Sequence, residues 1–360
     1  MSKTDRIKKH IVSRRESMQS AMRLMDELDS KLLIVVEEGK FYSLLSIGDI
    51  QRAIIAGKSI SMEIGKILRK NIKVATTTQP ESEIKQRMME LRTEFMPVIN
   101  EVNELEDVIF WNETFDIGIK ENDNLKDIPV VIMAGGKGTR LRPITNIIPK
   151  PLIPLGEKPV IQVIMDNFRL NGANKFFFSV NYKADLIQHY FDGLEDLRYD
   201  ITYFREDKPL GTAGSLKLLR DKINSSFFVS NCDILIDQDY SEVFEYHKEN
   251  KNELTLIAAI KNYAIPYGTL ETEENGLLKE VKEKPSLSFK VNAGMYLLEP
   301  HLLDEIPHDE FFHITHLMEK IIARGGRVGV FPVSEGAWMD TGEWDVYNQA
   351  QKNFSKRFGN

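Results

Sequence analysis

The sequence predicts an α/β protein in two parts. A small α+β unit over residues 1–119 is followed, after a charged linker at 120–127, by a larger α/β domain over 128–360. Three observations carry this. A helix–strand–strand–helix order at the front recurs about 63 positions later. The texture then changes at Ile128, where Val130–Met133 is a continuous apolar run, as a strand covered on both faces of a parallel sheet requires. A glycine-rich loop follows that run at once, at the carboxyl edge where open α/β sheets bind ligands.

In the front unit the first copy reads as a helix over Ser20–Leu28, strands over Leu32–Val36 and Tyr42–Ser46, and a helix from Asp49 to Ala56 with an acid in its first turn. The second copy reads Glu83–Leu91 as helix and Met96–Ile99 and Asp107–Trp111 as strands, with Glu113 where Asp49 stood. Two copies that bury a shared sheet imply pseudo-twofold packing. The pattern resembles a tandem pair of CBS domains (a Bateman module) over roughly residues 8–118. In that family a Thr/Ser-x-x-Asp carboxylate holds an adenosine ribose, which points to Ser46 and Asp49 and to an adenine nucleotide as ligand. The second copy offers Phe110-Trp111-Asn112-Glu113, without the hydroxyl and with a longer acid. A dimerisation scaffold is the alternative to ligand sensing.

The loop after the first strand of the large domain is Ala134-Gly135-Gly136-Lys137-Gly138-Thr139-Arg140-Leu141-Arg142-Pro143. Glycines let the backbone turn sharply and bring amide N–H groups close to phosphate oxygens. The spacing is neither the dinucleotide fingerprint nor a Walker loop. The chain continues to Pro149-Lys150-Pro151-Leu152, where prolines on both sides restrict the backbone that carries one cation. Phosphate oxygens brought close to such a loop call for fixed cations beside it. Arg140 and Lys150 suit that role.

The extended motif resembles the signature of sugar-1-phosphate nucleotidyltransferases, and the resemblance runs from about Pro129 to Ala350. It implies a Rossmann-like three-layer domain with a GT-A-like mixed sheet. Arg140 and Lys150 are then the catalytic cations, while Ala134, Gly135, Gly136, Gly138 and Thr139 bind nucleotide. Leu210–Leu216 resembles the loop that closes over the base, with Gly211 and Thr212. Asn181 sits where the family has a base-contacting polar residue, or is an ordinary turn asparagine. Asp233, at the end of the apolar run from Phe227, and Asp340, in Trp338-Met339-Asp340, resemble the two acids that hold Mg²⁺. Glu283 and Lys284 of Glu-Lys-Pro resemble the sugar hydroxyl and 1-phosphate clamp, with Gly268 and Asn292 in neighbouring sugar loops.

The front-unit fusion resembles guanylyltransferases of legionaminic acid pathways, which implies GTP and glucosamine 1-phosphate as substrates. Mannose or heptose 1-phosphate, and UTP, CTP or dTTP, are the alternatives. A non-catalytic nucleotide-sensing subunit is the reading from another class. His313 and His316 lie on one helical face, as caps or surface residues rather than a zinc site.

Bulk properties agree. The net charge of −7 gives no electrostatic footprint for nucleic acid or an acidic membrane. The single cysteine, Cys232, excludes an intramolecular disulfide and suits a reducing compartment. The charged stretch 1–16 has no apolar core of a signal peptide, so a cytoplasmic homo-oligomer is expected.

Overall fold

The computed structural model describes residues 3–70, 72–91, 93–111, 123–194 and 198–357. The chain divides into two compact units, 1–118 and 119–360. Asn112, Glu113 and the start of the expected linker lie outside the described residues.

The front unit runs α1 (Lys3–Lys9), β1 (Ile11–Ser13), α2 (Met18–Leu28), β2 (Leu32–Glu37), β3 (Lys40–Ser46) and α3 (Ile47–Ile55). It then repeats as β4 (Ala75–Thr76), α4 (Glu81–Leu91), β5 (Phe95–Ile99) and β6 (Leu105–Phe110). In each copy a short strand lies parallel to the first strand of an antiparallel hairpin. Helix α2 forms because Met18, Ala21, Met22 and Met25 fall on one buried face and Ser17 caps its start by accepting from Ser20 N at 3.0 Å. One shared sheet was expected, and the structure corrects this to two three-stranded sheets. What the copies share is a core, in which Leu32, Ile34 and Phe41 join Phe95, Val108 and Phe110. Apolar faces meet there while each hairpin keeps its own ladder.

The second unit starts with β7 (Val130–Met133), β8 (Pro154–Leu155), β9 (Lys158–Pro159), α5 (Val160–Leu170), β10 (Lys175–Val180), α6 (Ala184–Asp192) and β11 (Asp200–Arg205). It continues with β12 (Phe227–Asn231), β13 (Ile234–Ile236), α7 (Tyr240–Glu249), β14 (Leu254–Ala264), β15 (Thr269–Thr272), β16 (Leu278–Lys282) and β17 (Ser286–Leu298). It ends with α8 (Ile314–Ala323), β18 (Val328–Ser334), β19 (Trp338–Asp340) and α9 (Trp344–Arg357).

Seven strands form one mixed sheet in the order β11-β10-β7-β12-β17-β14-β18. Only β17 runs against the rest, being antiparallel to both β12 and β14. Residues alternate between two buried faces. Val130, Ile132, Phe176 and Phe178 pack under α5, α6 and α7, while Val131, Phe177 and Val229 pack against α8. Two-sided burial explains the unbroken apolar runs. From β7 the chain steps to β10 on one side and later returns to β12 on the other, so a crevice opens above their carboxyl ends. No described helix is long and apolar enough to cross a membrane.

Candidate active site

The loop leaving β7 is bound into place before any ligand arrives. Ala134 N donates to Ser179 O at 2.8 Å. At Gly135 a Cβ would collide with the Glu206 carboxylate and lie 3.3 Å from Asn181 Cβ. Gly138 is left-handed at φ +61°, and a Cβ there would lie 2.9 Å from both Lys150 Cβ and Thr145 Cγ2. Thr145 Oγ1 donates to Gly138 O at 2.9 Å, tying the loop to the segment that delivers Lys150. Glycine is therefore required at 135 by contact and at 138 by contact and dihedral alike.

Opposite this loop, the end of β12 and the β19 turn carry the two acids. Strand β13 pairs with β19 so that Ile234 faces Asp340. Thr341 donates twice to Asp233 O, from N and from Oγ1, each at 2.9 Å. Gly342 N donates to Asp340 Oδ1 at 2.8 Å. A Cβ on Gly342 would run into the Asp233 carboxylate and approach Lys150 Nζ at 2.7 Å and Asp340 Oδ1 at 2.8 Å. This is a built cradle of two hard-oxygen donors and one cation around a single backbone position, and it fits a divalent ion such as Mg²⁺.

The charges couple as their proximity requires. Burial and then the neighbouring Asp233 carboxylate raise the Asp340 pKa. Burial pulls Lys150 down, but Asp233, with which it forms a largely buried ion pair, outweighs this and leaves it above its ordinary value. Burial pushes the Cys232 thiol up to about 12, so it is an inert packing residue rather than a nucleophile. Arg140 is exposed at the cleft mouth, where Nη1 donates to Glu343 Oε1 at 2.8 Å.

These elements enclose a cleft of about 330 Å³. Of the residues expected at the site, it brings together Gly135, Gly136, Gly138 and Thr139, the cations Arg140 and Lys150, Gly211 and Thr212, and Asp233. Ala134 lies buried beneath the loop, and Asp340 joins through the Gly342 cradle. Gly211, left-handed at φ +82°, would meet Phe312 O at 2.7 Å if it carried a Cβ. That close approach lets Ala213 N and Gly214 N donate to Phe312 O and Phe312 N donate to Leu210 O. Thr212 Oγ1 accepts from Ile314 N at 3.1 Å, and His313 caps α8.

Other expected residues do not line the cleft. The Asn181 amide, expected at the base, is turned away to donate to Glu206 O at 2.6 Å. Gly268, Glu283 and Lys284 lie on the exposed arm built from β15 and β16, where a Cβ on Gly268 would sit 3.1 Å from Glu283 Oε2. Asn292, expected in a loop, lies instead within β17, paired with Ala258 of β14, and its Oδ1 accepts from Gly294 N at 3.0 Å near the point where β17 passes Asn231. In the front unit, Ser46 and Asp49 form a helix capping box, in which Ser46 N and Oγ donate to Asp49 Oδ2. Asp49 Oδ1 pairs with Arg52 and, at 2.9 Å, Arg69. Both oxygens expected to hold a ribose are thus engaged inside the fold.

Sequence reasoning missed Glu206. It is 6% exposed, lines the cleft, and follows β11 directly. No local signal marks it, because β11 is mostly part-exposed and Asp207 and Lys208 follow, so the segment reads as a solvated turn.

Comparison with known proteins follows the same outline. The chain is 34% identical over 221 residues to mannose-1-phosphate guanylyltransferase 1 of Arabidopsis thaliana, covering 59% of this chain and 61% of that protein. It is 31% identical over 247 residues to UTP–glucose-1-phosphate uridylyltransferase of Synechocystis, covering 63% of each. The chain thus spans less than two thirds of the length of these relatives. The crystal structure of HddC from Yersinia pseudotuberculosis superposes with a TM-score of 0.51 at 26% identity, covering 63% of this chain and 99% of that one. The same protein complexed with GMP-PN gives 0.50. The nucleotidyl transferase family matches residues 129–357, more than half of the sequence, and the chain belongs to that family.

Proposed function

We propose that this chain transfers a nucleotidyl group from GTP to glucosamine 1-phosphate in the cytoplasm, releasing pyrophosphate and forming a nucleotide sugar for surface-glycan or nonulosonic acid synthesis. One observation carries the reaction type. A single cleft joins a glycine loop suited to phosphates, the cations Arg140 and Lys150, and the carboxylates Asp233 and Asp340. The guanylyltransferase relative and the GMP-PN complex of HddC support guanine. Glucosamine rests on the resemblance of the two-part organisation. Mannose 1-phosphate is the second reading, favoured by the relative's name.

The loop N–H groups hold the phosphates, and the Arg140 fork and the Lys150 point charge meet the oxygens that gain charge. Asp233 and Asp340 would hold Mg²⁺, which when bound neutralises phosphate charge. Thr341 ties the backbone carbonyl of Asp233 to the β19 turn, and Gly342 N holds the Asp340 carboxylate. A sugar-phosphate dianion is already a nucleophile, so no general base is required, and catalysis is positioning with charge stabilisation. Glu283, Lys284, Gly268 and Asn292 are assigned to the sugar phosphate. The complete set of Arg140, Lys150, Asp233 and Asp340 weighs against a non-catalytic sensor.

The front unit is proposed as a CBS-type module for self-association. An adenine nucleotide at Ser46 and Asp49 would have to displace Arg52 and Arg69 from the carboxylate. Pyrophosphate release with excess Mg²⁺ tests the metal assignment. Asp233→Asn is expected to lose roughly 100-fold or more in turnover, and turnover near wild type would remove Asp233 from the site.

A further inference from the structure

We infer that the β15–β16 arm is the surface on which two copies of this chain pair, apolar face against apolar face.

Strands β15 and β16 pair only with each other. An isolated two-stranded hairpin is marginal in water unless its apolar face is covered. The register gives this arm two unlike faces. Leu270 stands opposite Val281 and Thr272 opposite Leu278, so three apolar side chains share one face. Glu271 stands opposite Glu280 on the other, where Lys282 pairs with both, at 2.7 and 3.0 Å. The charged face is satisfied in water, and the apolar face is bare.

A second bare apolar group lies in the ribbon of β14 and β17 that carries the arm. There Tyr263 stands opposite Leu287, and its ring lies 6.0 Å from that of Phe289. Leu270, Leu278, Val281, Tyr263, Leu287 and Phe289 are each between 47% and 65% exposed. Together they present on the order of 700 Å², more than a monomer's largest apolar patch usually reaches. A standard interface buries about 800 Å² on each partner, so the arm and its ribbon have the size of one half of an interface.

The chemistry of the patch selects its occupant. A sugar phosphate is polar and would leave the leucines bare. An anionic lipid surface is disfavoured, because residues 268–284 carry five glutamates against three lysines. Elsewhere in the second unit the exposed large apolar side chains, such as Ile147, Leu186 and Ile322, fall on separate segments. Among the described residues, a face of matching size is therefore offered by the same arm of a second copy. Two like faces packed about a twofold axis close into a dimer and propagate no further.

The test uses the full chain in two independent ways. Analytical ultracentrifugation compares wild type with the double variant Leu270→Lys and Val281→Glu. This cross-strand opposite-charge pair suits a strand but solvates the face, and a melting curve checks the fold. The double variant is expected to sediment at half the wild-type mass, whatever association the front unit adds. An unchanged mass overturns the inference, and so does a wild type that is monomeric at the highest concentration measured. Separately, Val281→Cys and Glu280→Cys each place one accessible thiol on opposite faces, because the native Cys232 is buried. A bismaleimide should join Val281→Cys chains into covalent dimers and leave Glu280→Cys chains single. Equal linking of both, or of neither, contradicts the pairing. Wild-type co-sedimentation with phosphatidylserine vesicles that the double variant loses, with its mass unchanged, would assign the face to a membrane instead.

Discussion

At the residue scale the site is a set of charges whose partners must change when substrate enters. Lys150 lies on Asp233 and Arg140 on Glu343. The second pair is exposed, and such pairs are worth about 1 kcal/mol or less. Neutralising Glu343 should therefore release Arg140 towards phosphate at little structural cost. For Glu343→Gln we expect the NTP KM to fall by up to about fivefold with kcat unchanged. Initial rates across an NTP titration check this, and a raised KM would mean that Glu343 positions Arg140 instead. Gly342→Ala is expected to be far more damaging, because the new methyl meets Asp233, Lys150 and Asp340 together. Turnover should drop by about 100-fold while the melting temperature barely moves.

Residue-level legibility was uneven for a physical reason. The glycine loop and the two cations were visible because their chemistry needs those residue types at short spacing, whereas Asp233 and Asp340, far apart in sequence, stood out only through the family resemblance. Ser46 and Asp49 were equally visible but ambiguous, since Ser-x-x-Asp is also a capping-box pattern. Arg69, twenty positions away, helps decide the outcome, and local spacing cannot report it. Glu206 stayed hidden because nothing in its own neighbourhood distinguishes a buried acid from a solvated one.

At the element scale, the buried runs Val130–Met133, Phe176–Val180 and that from Phe227 could be read as strands, but the longest strands, β14 and β17, and the pairing partners could not. Strand β17 inserts between β12 and β14, a placement fixed by contacts distant in sequence. The start of β14 is held beside the start of β18 by a charged cluster. Arg324 Nη1 donates to Glu253 Oε1 at 3.0 Å, His301 Nε2 lies 2.8 Å from Glu253 Oε2, and Arg327 N donates to Glu253 Oε1 at 3.2 Å. Arg324 holds the Glu253 pKa down at about 2 from an ordinary 4.5. A depressed carboxylate contributes stability that is present above the unfolded value and lost as pH falls towards the folded one. Thermal unfolding followed by circular dichroism should thus show a melting temperature that declines from about pH 4.5 towards pH 2. Glu253→Gln should be less stable at neutral pH and should show a shallower decline across that window. An identical slope in the variant would remove this cluster from the acid response.

At the scale of the whole molecule, the sequence indicated two units and a repeat in the first. The repeat appears as two three-stranded sheets with one shared core rather than one sheet. In the second unit the crevice above β7 and β12 follows from strand order, which the sequence did not specify. Yet the loop that fills the crevice was identifiable because the strand before it is unmistakably buried. The arm of β15 and β16 carries Glu283 and Lys284 outside the cleft lining. If the arm closes over sugar phosphate, Lys284→Ala should raise the sugar 1-phosphate KM by about tenfold and leave the NTP KM unchanged. Parallel changes in both would place Lys284 elsewhere in function.

The central claim is nucleotidyl transfer to a sugar 1-phosphate in the Asp233–Asp340 cleft. It is tested most directly by ³¹P NMR of the full chain with GTP, glucosamine 1-phosphate and Mg²⁺. The expected result is stoichiometric appearance of pyrophosphate and a nucleotide-sugar diphosphate, abolished by chelation of the metal and by Asp233→Asn. Unchanged GTP, with the same null result for mannose 1-phosphate and for the other NTPs, would contradict it.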